Sequence, residues 1–124
     1  KAWDNYNNSS QEVLYFIVGD NIRFVLSDVI NYPNPFTHTT RITAGHNRPD
    51  DDLHVEVNIF DMSGRKVRMI RTTSPAGGYQ LAPVEWDRTD EDGSLVGGGT
   101  YIFRITVSAG NNEIATGSGR MIIL

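Results

Sequence analysis

The stretch Leu53-His54-Val55-Glu56-Val57-Asn58-Ile59-Phe60-Asp61-Met62-Ser63-Gly64-Arg65-Lys66-Val67-Arg68-Met69-Ile70-Arg71 decides the fold class of this chain. Leu53, Val55, Val57 and Ile59 alternate with His54, Glu56 and Asn58, and a side-chain period of two sends the two sets to opposite faces of a strand. Asp61-Met62-Ser63-Gly64 then interrupts the pattern, with Gly64 able to take the positive φ of a tight turn. Residues 53–71 therefore predict a hairpin with one dry and one wet face. Arg65, Lys66, Arg68 and Arg71 read as the wet face of its second strand.

Working outward, Tyr101, Phe103, Ile105 and Val107 alternate in the same way against Arg104 and Thr106. No 3.6-residue apolar stripe persists, and turn clusters recur between short apolar runs. Strands are expected at 13–18, 22–25, 29–32, 39–44, 53–61, 66–71, 83–87, 101–107 and 113–124, the last with a bend at 117–119. The fold class is all-β, and this spacing suits an immunoglobulin-like antiparallel β-sandwich of about seven strands. Tyr32-Pro33-Asn34-Pro35-Phe36 forms a rigid corner, because two prolines remove donors and keep their predecessors extended. Asp50-Asp51-Asp52 reads as a solvated loop that discourages edge pairing, and Gly97-Gly98-Gly99 as a bulged entry to the Tyr101 strand.

The 124 residues carry a formal charge of −4, and the eleven Lys and Arg are scattered. Nucleic acid and anionic membranes both require clustered cations, so neither is an expected partner. There is no cysteine, hence no disulfide, thiolate metal site or thiol nucleophile within the chain. The start Lys1-Ala2-Trp3-Asp4 has neither an initiator Met nor a signal peptide, which suggests a chain beginning within a longer protein or after processing. Residues 1–19, with the polar tract Asn5-Tyr6-Asn7-Asn8-Ser9-Ser10, are read as the tail of an upstream domain or as an extra edge strand. The sandwich is assigned to 20–124, with Gly19-Asp20-Asn21 at the boundary.

The ordered series Tyr32-Pro33-Asn34-Pro35-Phe36, Val57 to Val67 with Asp61 and Gly64, Trp86-Asp87 with Asp90 and Asp92-Gly93, Gly99-Thr100-Tyr101, and Arg120-Met121-Ile122-Ile123-Leu124 resembles the C-terminal signal domain of type IX secretion proteins. The upstream residues, including Ala2-Trp3-Asp4 and Phe16-Ile17-Val18, resemble the segment that precedes this domain in the gingipain-like sortase of that system. The middle motifs are also similar to the immunoglobulin-like module of flagellar hook-capping proteins. Two departures concern turn geometry: Arg88 stands where the family often has Gly, and three glycines precede Thr100.

The resemblance implies a non-catalytic signal and docking domain, exported across the outer membrane to the surface of a gram-negative bacterium. It implies a cysteine peptidase as parent and, as partners, outer-membrane β-barrel components of the system, namely a shuttle protein and a translocon. Self-association through edge strands is a further expectation. By resemblance the export machinery reads the last strand, so Gly117, Arg120, Met121, Ile122, Ile123 and Leu124 are the candidate contacts, through strand addition or surface docking. The simpler reading makes them a closing core strand.

Other motifs favour structure over chemistry. Asp87, Asp90 and Asp92-Gly93 depart from the EF-hand calcium spacing and read as turn formers. Trp86 is expected in the core, with a sugar-stacking or calcium-binding adhesive sandwich as the alternative. His38, His46 and His54 lack carboxylates placed to orient metal-bound imidazoles. No serine sits in a nucleophile elbow, so no catalytic residue, metal or cofactor is assigned.

Overall fold

The computed structural model describes residues 17–18 and 21–124. Its elements are β1 (Ile17–Val18), β2 (Asn21–Ile22), β3 (Leu26–Tyr32), β4 (Thr40–His46), β5 (Leu53–Asp61), β6 (Lys66–Ser74), β7 (Val84–Trp86), β8 (Gly99–Ser108) and β9 (Ile114–Ile123). The tract 5–10, the first part of the strand expected at 13–18, and Gly19 and Asp20 of the expected boundary lie outside the described residues. Among the described residues, β1 and β2 pair only with each other.

The other seven strands form two antiparallel sheets, ordered β3-β4-β7 and β6-β5-β8-β9. The chain changes sheet after β4, after β6 and again after β7, so neighbours in sequence face one another across the core. This is the expected all-β sandwich. A tyrosine near the start of the penultimate strand, bonded back to upstream backbone, is a mark of immunoglobulin-like sandwiches. Here the Tyr101 hydroxyl donates to the Gly97 carbonyl at 2.7 Å.

The two alternating strands build the core as their patterns require. Leu53, Val55, Val57 and Ile59 of β5 and Tyr101, Phe103, Ile105 and Val107 of β8 are all buried, facing Ile42 and Ala44 of β4 and Val84 and Trp86 of β7. Trp86 lies edge-on to both Phe36, at 6.0 Å, and Tyr101, at 5.8 Å. Full burial of each such side chain contributes about 1.5–3 kcal/mol, so these rows dominate the stability.

Four features depart from the sequence reading. The strand expected at 22–25 stops at Ile22, because Asn47 takes the place of a partner strand: its Oδ1 accepts from Val25 N at 3.0 Å and its Nδ2 donates to Arg23 O at 2.7 Å. β3 starts earlier than expected, through an irregularity between Ser27 and Ile30 where Asp28 has a φ of 50°.

β6 holds a bulge, since Ile59 pairs with Arg68 and Phe60 with Lys66, leaving Val67 as the extra, buried residue. Arg68 consequently leaves the expected wet face and donates to Thr89 Oγ1 and Asp90 O. Finally, β9 has no bend at 117–119. Its glycines serve close approach instead: a Cβ on Gly117 would lie 2.7 Å from Val29 Cγ2, and one on Gly119 would lie 2.6 Å from the Phe103 ring.

Arg88 sits where the backbone conformation favours glycine. Its φ is +66°, a left-handed conformation costing a side-chain-bearing residue roughly 1–2 kcal/mol. The guanidinium offsets this by donating to Val96 O and to Thr37 O, at 3.0 and 2.9 Å. Arg88→Ala keeps the strain and loses both bonds, whereas Arg88→Gly loses the bonds but relieves the strain. In thermal or urea unfolding the alanine variant should be the less stable of the two by about 1 kcal/mol.

Candidate functional site

The last strand is central to the sequence reading, and its two faces have different fates. Met121 and Ile123 are core residues, 0% and 2% exposed, while Arg120, Ile122 and Leu124 face outward. Gly117 is half-buried against Val29. A partner can therefore touch Arg120, Ile122 and Leu124, but not Met121 or Ile123 without opening the core. Deletion of 117–124 would remove two core side chains, so outward-facing point substitutions probe this strand more cleanly.

The outer edge of β9 is latched by the proline corner. Asn34, pinned between Pro33 and Pro35, reaches across with its carboxamide: Oδ1 accepts from Ile122 N and Nδ2 donates to Arg120 O, both at 3.0 Å. The backbone continues the pairing, with Phe36 N donating to Ile122 O at 3.0 Å and Leu124 N to Phe36 O at 2.9 Å. Nδ2 also bonds Asn31 Oδ1. Residues 120–124 thus have their edge groups satisfied, and strand addition there would require displacing the corner. Asn34→Ala removes both contacts to β9 and should cost about 1–3 kcal/mol of unfolding free energy by urea titration.

Beside this latch lies the solvent face of the four-stranded sheet. Cross-strand pairing aligns Lys66 of β6, Phe60 of β5, Ile102 of β8 and Arg120 of β9 in one row. Ile122 lies opposite Thr100 on one side of it, and Met69, Asn58, Arg104 and Ser118 form the row on the other. Ile102 and Ile122 are 39% and 41% exposed. Lys66, Arg104 and Arg120 form no ion pair with any described residue. At the β6 end of the second row Glu91 Oε2 accepts from Met69 N at 2.6 Å, and the first acidic residue of the sheet face itself, Glu56, comes one row further. Bonds from the Asn58 amide and Arg71 hold its pKa below the usual carboxylate range.

Sequence reasoning missed this patch. Its signal was present in Ile102, an apolar residue on the wet face of a strand whose other wet residues are polar.

The remaining motifs act as structure. Asp61 organises the hairpin turn: its Oδ1 accepts from the Ser63 hydroxyl and from the Ser63 and Arg65 amides, and its pKa falls to about 2, chiefly through the Ser63 hydroxyl. Gly64 takes a φ of +90° there. In the second acidic loop Asp90 Oδ1 accepts from the amides of Asp92 and Ser94, with Gly93 at a φ of +85°. Asp87 Oδ1 accepts from the Thr89 hydroxyl, which holds its pKa down.

These carboxylates satisfy turn donors rather than converge, and among the described residues no three acidic or imidazole groups cluster as metal ligands. Trp86 is buried with its Nε1 donating to Thr89 O at 2.9 Å, so it offers no platform for a sugar, although Tyr79 is exposed. His46 is buried, its Nδ1 accepting from Arg48 N, and burial lowers its pKa; His38 and His54 are exposed elsewhere. Gly99, at a φ of +140°, opens β8 as the glycine triplet suggested.

No family model and no curated protein matches the chain. Among solved structures, the crystal structure of dimeric latent PorU from Porphyromonas gingivalis superposes on 87% of this chain with a TM-score of 0.72 and 30% sequence identity. This is a PorU-like domain. It spans about 10% of the length of that PorU chain. The PorU-like domain has the Pro-Asn-Pro corner, hairpin turn and tyrosine contact placed where the quoted motifs fall, so each motif answers to a geometric need. The corner latches β9, the Asp61 turn closes β5 onto β6, and Trp86 seals the core between Phe36 and Tyr101.

Proposed function

We propose that this PorU-like domain is a non-catalytic export signal and docking module. It directs its parent through the type IX secretion system and tethers it at the outer membrane by binding a β-barrel component. The parent in this reading is a gingipain-like cysteine peptidase that removes signal domains from other exported proteins. Its thiol chemistry lies outside a chain that has no cysteine. The similarity to part of PorU is the single observation that carries the proposal. The latched strand supports it by presenting Arg120, Ile122 and Leu124 on a rigid support.

Fusion of the 124-residue chain behind a periplasmic reporter, in a bacterium with an active type IX system, tests the export half. The reporter should become accessible to external protease, and a strain lacking the translocon should keep it inside. Equal retention in both strains would overturn the signal reading.

PorU is dimeric in its crystal structure, which favours self-association as a second reading. Sedimentation at micromolar concentration decides it, a single monomer peak removing it.

A further inference from the structure

We propose that the solvent face of β6-β5-β8-β9 is the surface by which the domain grips its partner, and that the partner presents an acidic, partly apolar protein surface. This rests on the docking reading above and names its chemistry.

The face combines Phe60, Ile102 and Ile122 with the cations Lys66, Arg104 and Arg120; no residue of its rows from Ile122 to Arg104 is acidic, and the carboxylates that border them are already engaged, Glu91 by Met69 N at the β6 edge and Glu56 by the Asn58 amide and Arg71. In a chain of net charge −4 this segregation gathers three cations on one face of the described sheet. Opposite charge on a partner is what such a face selects, both for encounter rate and for register. Two of the three cations are arginines, whose planar guanidinium engages carboxylates bidentately.

The exposed isoleucines between them supply the apolar centre that a protein interface has and a purely ionic contact lacks. A second observation lies within the same rows. Asn58, cross-strand from both Met69 and Arg104, is 8% exposed and its Oδ1 has no donor among the described residues. The atom is out of solvent's reach, so a partner completes it by redirecting Arg104 onto it. Because the corner occupies the edge of residues 120–124, this face is what those residues leave open to recognition.

The test titrates the 124-residue chain against the purified, detergent-solubilised type IX shuttle β-barrel, with vesicles of anionic lipid as a parallel probe. Arg104→Glu and Arg120→Glu reverse charge on the face. Arg41→Glu makes the same charge change on the solvent side of β4. Each variant is first checked for an unchanged unfolding midpoint.

Saturable binding of the native chain, weakened by ~tenfold or more in each face variant, weakened by added salt and unchanged in Arg41→Glu, is expected. Equal binding by all three variants would overturn the face while leaving docking intact. Failure of the native chain to bind the barrel would overturn the docking reading and this inference with it. Binding to the vesicles alone would reassign the face to a lipid surface.

Discussion

Trp86→Ala is expected to remove ~3–5 kcal/mol from the unfolding free energy, enough to leave a domain of ordinary stability near its folding limit. The indole is 1% exposed and fills the space between Phe36 and Tyr101. Its removal leaves a cavity that neither ring can collapse into freely, since Tyr101 is tied to Gly97 O and the Phe36 backbone is bonded to β9. The Thr89 carbonyl also loses its indole donor. Because Phe36 belongs to the corner, the substitution should loosen the latch as well as the core. A urea midpoint implying a loss under about 1 kcal/mol would show that Trp86 does not hold the two sheets together.

Gly119→Val carries the second large effect. The glycine lies on β9 opposite Phe103, and a side chain there would place its Cβ 2.6 Å from two ring carbons. Phe103 is fully buried and pinned by the core, so the collision must be absorbed by backbone or by an off-rotamer ring. Overpacking of this kind costs about 1–3 kcal/mol, and more where nothing can give. The cause is checked by a double-mutant cycle: in a Phe103→Leu background, Gly119→Val should cost measurably less than in the native chain. Additive effects would place the origin of the loss elsewhere.

What the sequence made legible follows from which forces are local. The alternation in 53–61 and 101–107 is enforced by a buried face, and β5 emerged with the bounds its pattern indicated. The turn at Asp61 and the stop at the prolines are likewise set by neighbouring residues. Asn34 is different, because its partners Arg120 and Ile122 lie more than eighty positions away and nothing around it announces them. The same holds for Asn47, which ends the strand predicted at 22–25 by bonding backbone far along the chain.

Period-two logic also cannot foresee a bulge. One extra residue at Val67 moved Arg68 off the wet face and onto the acidic loop. For the candidate site, the sequence marked Gly117 and residues 120–124 together; that Arg120, Ile122 and Leu124 are the outward ones, and which neighbouring strands complete the face, required the structure. The position of Arg88 illustrates a further limit: the sequence marked a departure from glycine there, while only the backbone showed that the departure is held by two carbonyls.

The claim on which the functional reading turns is that the terminal strand is a latched wall of the sandwich, offering a face rather than a free edge. Amide hydrogen exchange at Ile122 and Leu124 tests it most directly, since these two N–H groups point away from β8 and bond only the corner. Both should be protected well above the level of an unstructured chain, and Asn34→Ala should selectively speed exchange at Ile122. Exchange of both amides in the native chain at the rate of a frayed terminus would contradict the latch.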